Sequence, residues 1–531
     1  MIDRSCGGGG CVLQYASTPS TSEVTNPKKS YTMAGSYKDV VKRARSAYNS
    51  GRTLSVEHRR RQLQQLRQMC LDHKDTFLDS LKIDLRKPQL EAMMLEVNAV
   101  IMDITYTLNR LDKWVKTERV SSAIPFDRSY IYNDPYGVVL VMGAWNYPLQ
   151  LALLPVTGAL AAGNAVILKP SEVSPATASA LAKLIPLYLD KECVQVVCGG
   201  VEETTQLLQE RFDYIFYTGS ATVGKIVREA ANKFLTPTTL ELGGKSPCYI
   251  DNSVDLNLAV RRVLWGKMLN LGQTCIAPDY LLCSKALQDP IIKKVKEVLR
   301  EWYGHDPKDS PHLARIVAER HVERLASYLE CGKVVVGGRF DMSDRWVEPT
   351  LLVDVPENSK VMTEEIFGPI LPIINVETHV DAIKFINKRE KPLALYVFSK
   401  KEAVKELFLR QVWCGGVTIN DTLFHAASST MPFGGVGNSG MGAYHGKYSF
   451  DTFTHKKSCL NRSYNPLIEK VTRARFPPYT EKNMKALISQ KDPGDGPGIL
   501  HHLKVFTKYL FSMSIGALLL FLYIRYTYVK V

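Results

Sequence analysis

The chain has 531 residues, 45% hydrophobic and 23% charged, the make-up of a globular protein too long for one simple core, so two or three domains are expected. Its formal net charge of +14 suits an anionic cofactor, an anionic membrane or nucleic acid, but no zinc-finger spacing, RNP-like aromatic motif or long arginine block is present, and nucleic acid is set aside. The 11 cysteines are odd in number and scattered, which excludes a disulfide framework; with no signal-peptide-like N-terminal run, a reducing compartment is expected.

Residues 1–35, rich in Gly, Ser and Thr, read as a disordered tail. Within it Cys6 and Cys11 flank a run of glycines, either as acylation or redox sites or as plain thiols. From Tyr37 to about Lys116 the pattern is helical, with apolar residues at three- and four-residue steps and Gly51 closing the first helix. Strands and helices then alternate. "YGVVLVMGAW" (136–145), "NAVILKPS", "CVQVVCGG" and "FDYIFYTGS" are Val/Ile-rich strands, and apolar helices separate them, the first closed by Gly163. This predicts an α/β fold with a parallel, Rossmann-type sheet and right-handed crossovers. A second α/β run begins near 243 and continues to about 440, with a turn at "GGRF" and a strand in "SDRWVEPTLL". No internal repeat is present.

Open parallel sheets bind ligands beyond the C-terminal ends of their strands. "FYTGSATVG" (216–224) sits at such an end: Gly219 and Ser220 follow a strand and Gly224 lies in the next helix. A glycine turn feeding a helix N-terminus suits an anion; a plain turn is the alternative. "LKPSE" (168–172) ends another strand and brings Lys169 near Glu172, where a carboxylate can accept from ribose hydroxyls and disfavour a 2′-phosphate. Together the two stretches predict a dinucleotide, NAD first, with NADP still open. Cys275, in "LGQTCIAPDY" (271–280), has no second cysteine or histidine close by. Taken alone it is a small hydrophobe, a metal ligand or a nucleophile. Nothing in the spacing of Cys and His predicts a metal site.

"WNYP" (145–148), "TLELGGKSP" (239–247), "GQTCIAPDY" (272–280), "EEIFGPILPI" (364–373) and "PFGGVGNSGMGAYHGKYSFDTFTHKK" (432–457) together resemble the aldehyde dehydrogenase superfamily, over roughly residues 37–460. The last stretch and the long C-terminal extension resemble its class 3, and within that the membrane-bound fatty aldehyde enzymes. The resemblance implies that Cys275 is the nucleophile, that Asn146 and the Cys275 N–H bind the oxyanion, and that Glu241 is the general base of thioester hydrolysis. It makes Glu365 and Phe367 the residues holding the nicotinamide ribose and ring. Glu365 is a second candidate for the base. Gly243 and Gly244 let the backbone approach the nicotinamide. Tyr147, Trp265 and His445 are candidates for a substrate funnel or for core packing. The implied layout is an NAD-binding domain with its helical N-terminal segment over 36–242, a β-arm near 118–134, a catalytic domain over 243–442 and an oligomerisation segment over 443–460, with homodimers expected.

Residues 461–504 form a basic linker, and the resemblance suggests a gatekeeper helix at 481–490. "YLFSMSIGALLLFLYI" (509–524) is apolar on every face, flanked by Lys508 and Arg525 and by tyrosines. It predicts a C-terminal transmembrane helix within 505–528, in a thin membrane such as the endoplasmic reticulum, with the catalytic body in the cytosol; a buried docking helix is the alternative. The expected activity is NAD-dependent oxidation of medium- to long-chain aliphatic aldehydes to fatty acids. The alternatives are transfer of the acyl group to coenzyme A, or a non-catalytic, membrane-tethered lipid-binding relative.

Overall fold

The computed structural model describes residues 36–122, 127–488, 509 and 512–522. The chain separates into two compact units. One comprises 1–116 and 133–455, the other 117–132 and 456–531.

The first unit carries both large sheets. In one, the strands Val194–Val196, Ala165–Lys169, Val138–Met142, Tyr214–Thr218 and Thr238–Glu241 lie side by side in that order, all parallel. Numbered along the chain, this is the order 3-2-1-4-5 of a dinucleotide-binding half, with its switch point between Val138–Met142 and Tyr214–Thr218. Every residue of "VVLVM", "AVILK" and "YIFYT" is buried, as a sheet covered on both faces requires. A sixth short strand, Gly440–Met441, pairs antiparallel with Thr238–Glu241, placing Gly440 opposite Glu241. Periodicity gives no sign of this pairing, because two residues carry no pattern.

The second sheet has seven strands in the order Lys333–Val336, Thr350–Val353, Ile370–Asn375, Tyr280–Cys283, Pro247–Ile250, Ala394–Phe398 and Gly416–Ile419. Only the first pairs antiparallel. The helical N-terminal stretch divides into Tyr37–Asn49, Val56–Asp72, Lys74–Leu85, Gln89–Ala92, a π-turn at Met93–Val97, Asn98–Leu108 and Leu111–Val115. Ser36 caps the first of these helices, and Gly51, at φ 78°, follows its end.

Most of a three-stranded sheet, in the order Glu118–Val120, Arg128–Pro135, Thr454–Asn461, falls within the second unit. Further on, a helix spans Glu481–Ile488, inside the stretch expected to hold a gatekeeper helix. Residues 512–522 are helical and exposed. Among the described residues no helix is long and apolar enough to cross a membrane, so the transmembrane helix expected within 505–528 has no support from the fold. Much of that span, the tail at 1–35 with Cys6 and Cys11, and 489–490 lie outside the described residues.

Candidate active site

Cys275 sits in a turn ahead of the strand Tyr280–Cys283. The approach to it is strained: Asn270 and Leu271 both adopt left-handed backbone angles, at φ 50° and 53°. Asparagine tolerates this region, whereas leucine does so at a cost that the surrounding bonds must offset. Those bonds come from Gln273. Its side chain donates to the carbonyls of Asn270 (3.0 Å) and Arg315 (2.9 Å) and accepts from Val317 N–H (2.9 Å). Cys275 itself is only partly buried. Burial and the carboxylates of Glu365 and Glu241 push its thiol pKa up, while the backbone N–H groups of Cys275 and Ile276 pull it down.

Asn146 follows the strand Val138–Met142 at the switch point and is 4% exposed. Its side-chain amide donates to Gln273 O at 3.1 Å, which ties it to the loop of Cys275. Tyr147 is buried beside it, with its hydroxyl 2.9 Å from Thr274 Oγ1.

Glu241 ends the strand Thr238–Glu241 and is 3% exposed. Neither carboxylate oxygen has a hydrogen-bond partner. Burial alone raises its pKa well above the usual carboxylate range. Glu365 differs. It is pushed up to about 8 by burial and by the charge of Asp279, while the Gly244 N–H, Lys245 and Arg324 pull it down. Its backbone is fixed as well. Arg324 donates to the carbonyls of Glu365 (3.1 Å) and Ile366 (2.8 Å), and Asp279 accepts from Ile366 N–H at 3.2 Å. Asp279 also pairs with Lys245 at 2.6 Å and lies 3.8 Å from the fully buried Lys267.

The remaining predicted residues fall in two groups. Lys169 and Glu172 form an ion pair at 2.5 Å at the end of Ala165–Lys169. Gly219 follows Tyr214–Thr218 and donates to Glu241 O at 3.0 Å, Ser220 caps the helix Ala221–Asn232, and Gly224 is buried in its first turn. A Cβ on Gly243 would collide with the Glu365 carboxylate, so glycine there lets that carboxylate lie against the backbone. Phe367 packs edge-on to Trp145 at 5.3 Å. This set fits a nicotinamide dinucleotide, with a lysine–carboxylate pair for ribose hydroxyls, a capped helix N-terminus for phosphate and a glycine opening beside Glu365. In the second group, Trp265 stacks on the exposed Phe424 at 5.4 Å. His445 is 6% exposed, stacked on Phe433 at 5.1 Å, and burial pushes its imidazole down to about 3. It is neutral and part of an aromatic cluster.

Several residues around the site lie outside every motif quoted from the sequence: Lys87, Glu91, Glu96, Asn270, Lys267 and Tyr396. Asp279, Lys245 and Gln273 were in view, since they lie in "CIAPDY", "LGGKSP" and "GQTC". Cysteine and histidine spacing predicts no metal site, yet the fold brings ligand atoms of His58, Asp190 and Cys193 within 4.8 Å of one another. Asp190 there is already paired with Arg52 at 3.1 Å and accepts from the Cys193 thiol at 3.5 Å.

Residues 16–459 match the model of the aldehyde dehydrogenase family. The chain is 51% identical to a rat protein named dimeric NADP-preferring aldehyde dehydrogenase, over 84% of this chain and 99% of that one. It is 50% identical to aldehyde dehydrogenase family 3 member A2 of Pongo abelii, over 84% and 92%. Among solved structures, a substrate-bound state of Staphylococcus aureus AldH superposes with a TM-score of 0.82 at 40% identity, covering 86% of this chain and all of that one. A Mycobacterium tuberculosis aldehyde dehydrogenase complexed with NAD+ gives 0.75 at 30% identity, covering 81% and 92%. The chain belongs to the aldehyde dehydrogenase family, in class 3, and is an NAD(P)-dependent aldehyde dehydrogenase.

Proposed function

We propose that this enzyme oxidises medium- to long-chain aliphatic aldehydes to fatty acids through a covalent intermediate on Cys275. The Cys275 thiol releases its proton to solvent, its sulfur adds to the aldehyde carbon, and the oxygen takes up negative charge between the Asn146 amide and the Cys275 N–H until a hydride leaves the same carbon. One N–H of Asn146 is held by Gln273 O, which leaves the other to be aimed at the oxyanion. The nicotinamide cofactor, when bound by Lys169, Glu172, Ser220, Glu365 and Phe367, supplies the hydride acceptor. The thioester left on Cys275 is then hydrolysed by a water whose proton Glu241 accepts, releasing the acid and the free thiol.

The observation that carries this reading is Glu241, buried, near enough to raise the Cys275 thiol, with both carboxylate oxygens unpartnered. Such a group is costly unless it serves a water or a substrate. Glu365 lies where the Gly244 N–H, Lys245 and Arg324 favour its ionised form, which suits a cofactor contact.

A membrane role is the second part of the proposal. The apolar run 509–524 supports it, and so does the exposure of Leu518, Leu519, Leu520 and Phe521. An enzyme held at the endoplasmic reticulum membrane, its body in the cytosol, meets long-chain aldehydes where they partition. Homodimers complete the reading, in keeping with the name of the rat relative. Replacing Cys275→Ser tests the chemistry. NAD(P)H formation should vanish while the cofactor still binds, as seen by fluorescence titration; full activity would overturn the assignment.

A further inference from the structure

We propose that the buried ion pair of Lys87 and Glu96 is the positioning device of Asn146, an inference that rests on the oxyanion role just assigned to that residue. Both side chains are fully buried, and the Lys87 ammonium lies 2.5 Å from Glu96 Oε1. Replacing such a pair with apolar groups is often neutral or stabilising, so stability is a weak account of its presence. Its contacts point elsewhere. Lys87 Nζ donates to the Asn146 carbonyl at 2.8 Å and stands 3.7 Å from the centre of the Tyr147 ring. Its three N–H groups thus have three acceptors: a carboxylate, the Asn146 carbonyl and a π face. The other Glu96 oxygen accepts from the N–H groups of Leu149 (3.1 Å) and Gln150 (3.0 Å). These open the helix Gln150–Ala162, which has no side-chain cap of its own. The pair therefore grips the turn on both sides of Asn146.

The second lone pair of the Asn146 carbonyl is taken by Asn270 Nδ2 at 2.8 Å, which also donates to Gln273 O at 3.0 Å. Asn270 N–H donates to Glu91 at 2.7 Å. One clamp thus joins the oxyanion donor to the strained loop before Cys275. Glu96 lies on the π-turn Met93–Val97, where an extra residue in the helical turn re-aims the side chains that follow it. With the carbonyl of Asn146 fixed twice, its backbone has no freedom to swing the amide off the carbonyl under attack.

A double-mutant cycle on the full-length enzyme tests this, with Lys87→Met, Asn146→Ala and the double variant assayed for kcat, the KM of each substrate and the Kd of NADH. A positioning role predicts that Lys87→Met lowers kcat by about 10²-fold, within the range of losing an oxyanion donor, with the Kd of NADH changed less than about twofold. The double variant should then be no worse than Asn146→Ala. Multiplicative losses would overturn the proposal, because a general loss of structure acts equally whether or not the amide is there. If Lys87→Met does not fold, Glu96→Gln enters the same cycle: it keeps the shape and an oxygen for the helix but removes the charge. Undiminished activity in Asn146→Ala alone would instead overturn the oxyanion assignment and the positioning role with it.

Discussion

At the scale of single residues, two carboxyl groups flank Cys275 in different environments. Glu241 has no partner for either oxygen and is raised by burial alone, whereas the Gly244 N–H, Lys245 and Arg324 favour the ionised form of Glu365. On the proposed mechanism the base of hydrolysis must be free to turn to water, and Glu241 has no hydrogen bond to break. Burial raises its pKa, so the ionised form that can act as a base gains as pH rises. Turnover should therefore climb with pH above the ordinary carboxylate range, the direction set by a base that must ionise, and a flat pH profile would count against that role. Glu241→Gln should release one equivalent of NAD(P)H in a burst and then turn over about 10²-fold or more slowly, with acyl-enzyme visible by mass spectrometry. Glu365→Gln should raise the KM for cofactor and accumulate no acyl-enzyme. The reverse pattern would exchange the two roles. Cys275, Asn146 and Glu241 could be named as candidates from the sequence because each lies in a short stretch that carries the family resemblance. Lys87 could not, because its contact with Asn146 spans 59 residues and no local pattern marks either end.

Elements follow the same logic. The helix Pro175–Tyr188 begins with proline, whose missing N–H removes one orphan donor, but its N-cap Ser174 makes no side-chain cap. The capping oxygens come from Asp84, at the end of a different helix. It accepts from Ala176 N–H (3.0 Å), Thr177 N–H (2.9 Å) and Thr177 Oγ1 (2.8 Å), at 5% exposure. Asp84→Ala strands these donors and should cost about 2 kcal/mol, near the upper end for a cap, read as a lower Tm or denaturant midpoint. Because the capped turn directly follows Lys169 and Glu172, the KM for cofactor should rise as well, while kcat at saturating cofactor holds. An unchanged Tm would mean that water caps the helix equally well. The strands and helices themselves were readable, since all-apolar runs and three- to four-residue periods are local signals. The pairing of Gly440–Met441 beside Glu241 and the cap from Asp84 were not, because they join segments far apart in the chain.

For the whole molecule the open issue is why a dehydrogenase carries an apolar run at 509–524. A soluble enzyme gains nothing from exposing Leu518, Leu519, Leu520 and Phe521, and a patch of that kind calls for lipid or protein to cover it. If lipid covers it, binding and substrate preference are linked, because a long-chain aldehyde concentrates in the same bilayer that holds the enzyme. Efficiency, as kcat/KM measured with vesicles, should then climb from acetaldehyde to octadecanal. A charge in the run separates address from chemistry. Leu519→Arg should weaken sedimentation with anionic vesicles by about 10²-fold, the equivalent of the roughly 2.5–3.5 kcal/mol that an arginine costs at the centre of a bilayer. It should leave kcat/KM for short, soluble aldehydes unchanged, since Cys275, Asn146 and Glu241 belong to the other compact unit. The loss should appear only on long chains presented in vesicles. Equal efficiency on short and long aldehydes, with or without the arginine, would detach the apolar run from substrate choice and leave it to docking against a protein.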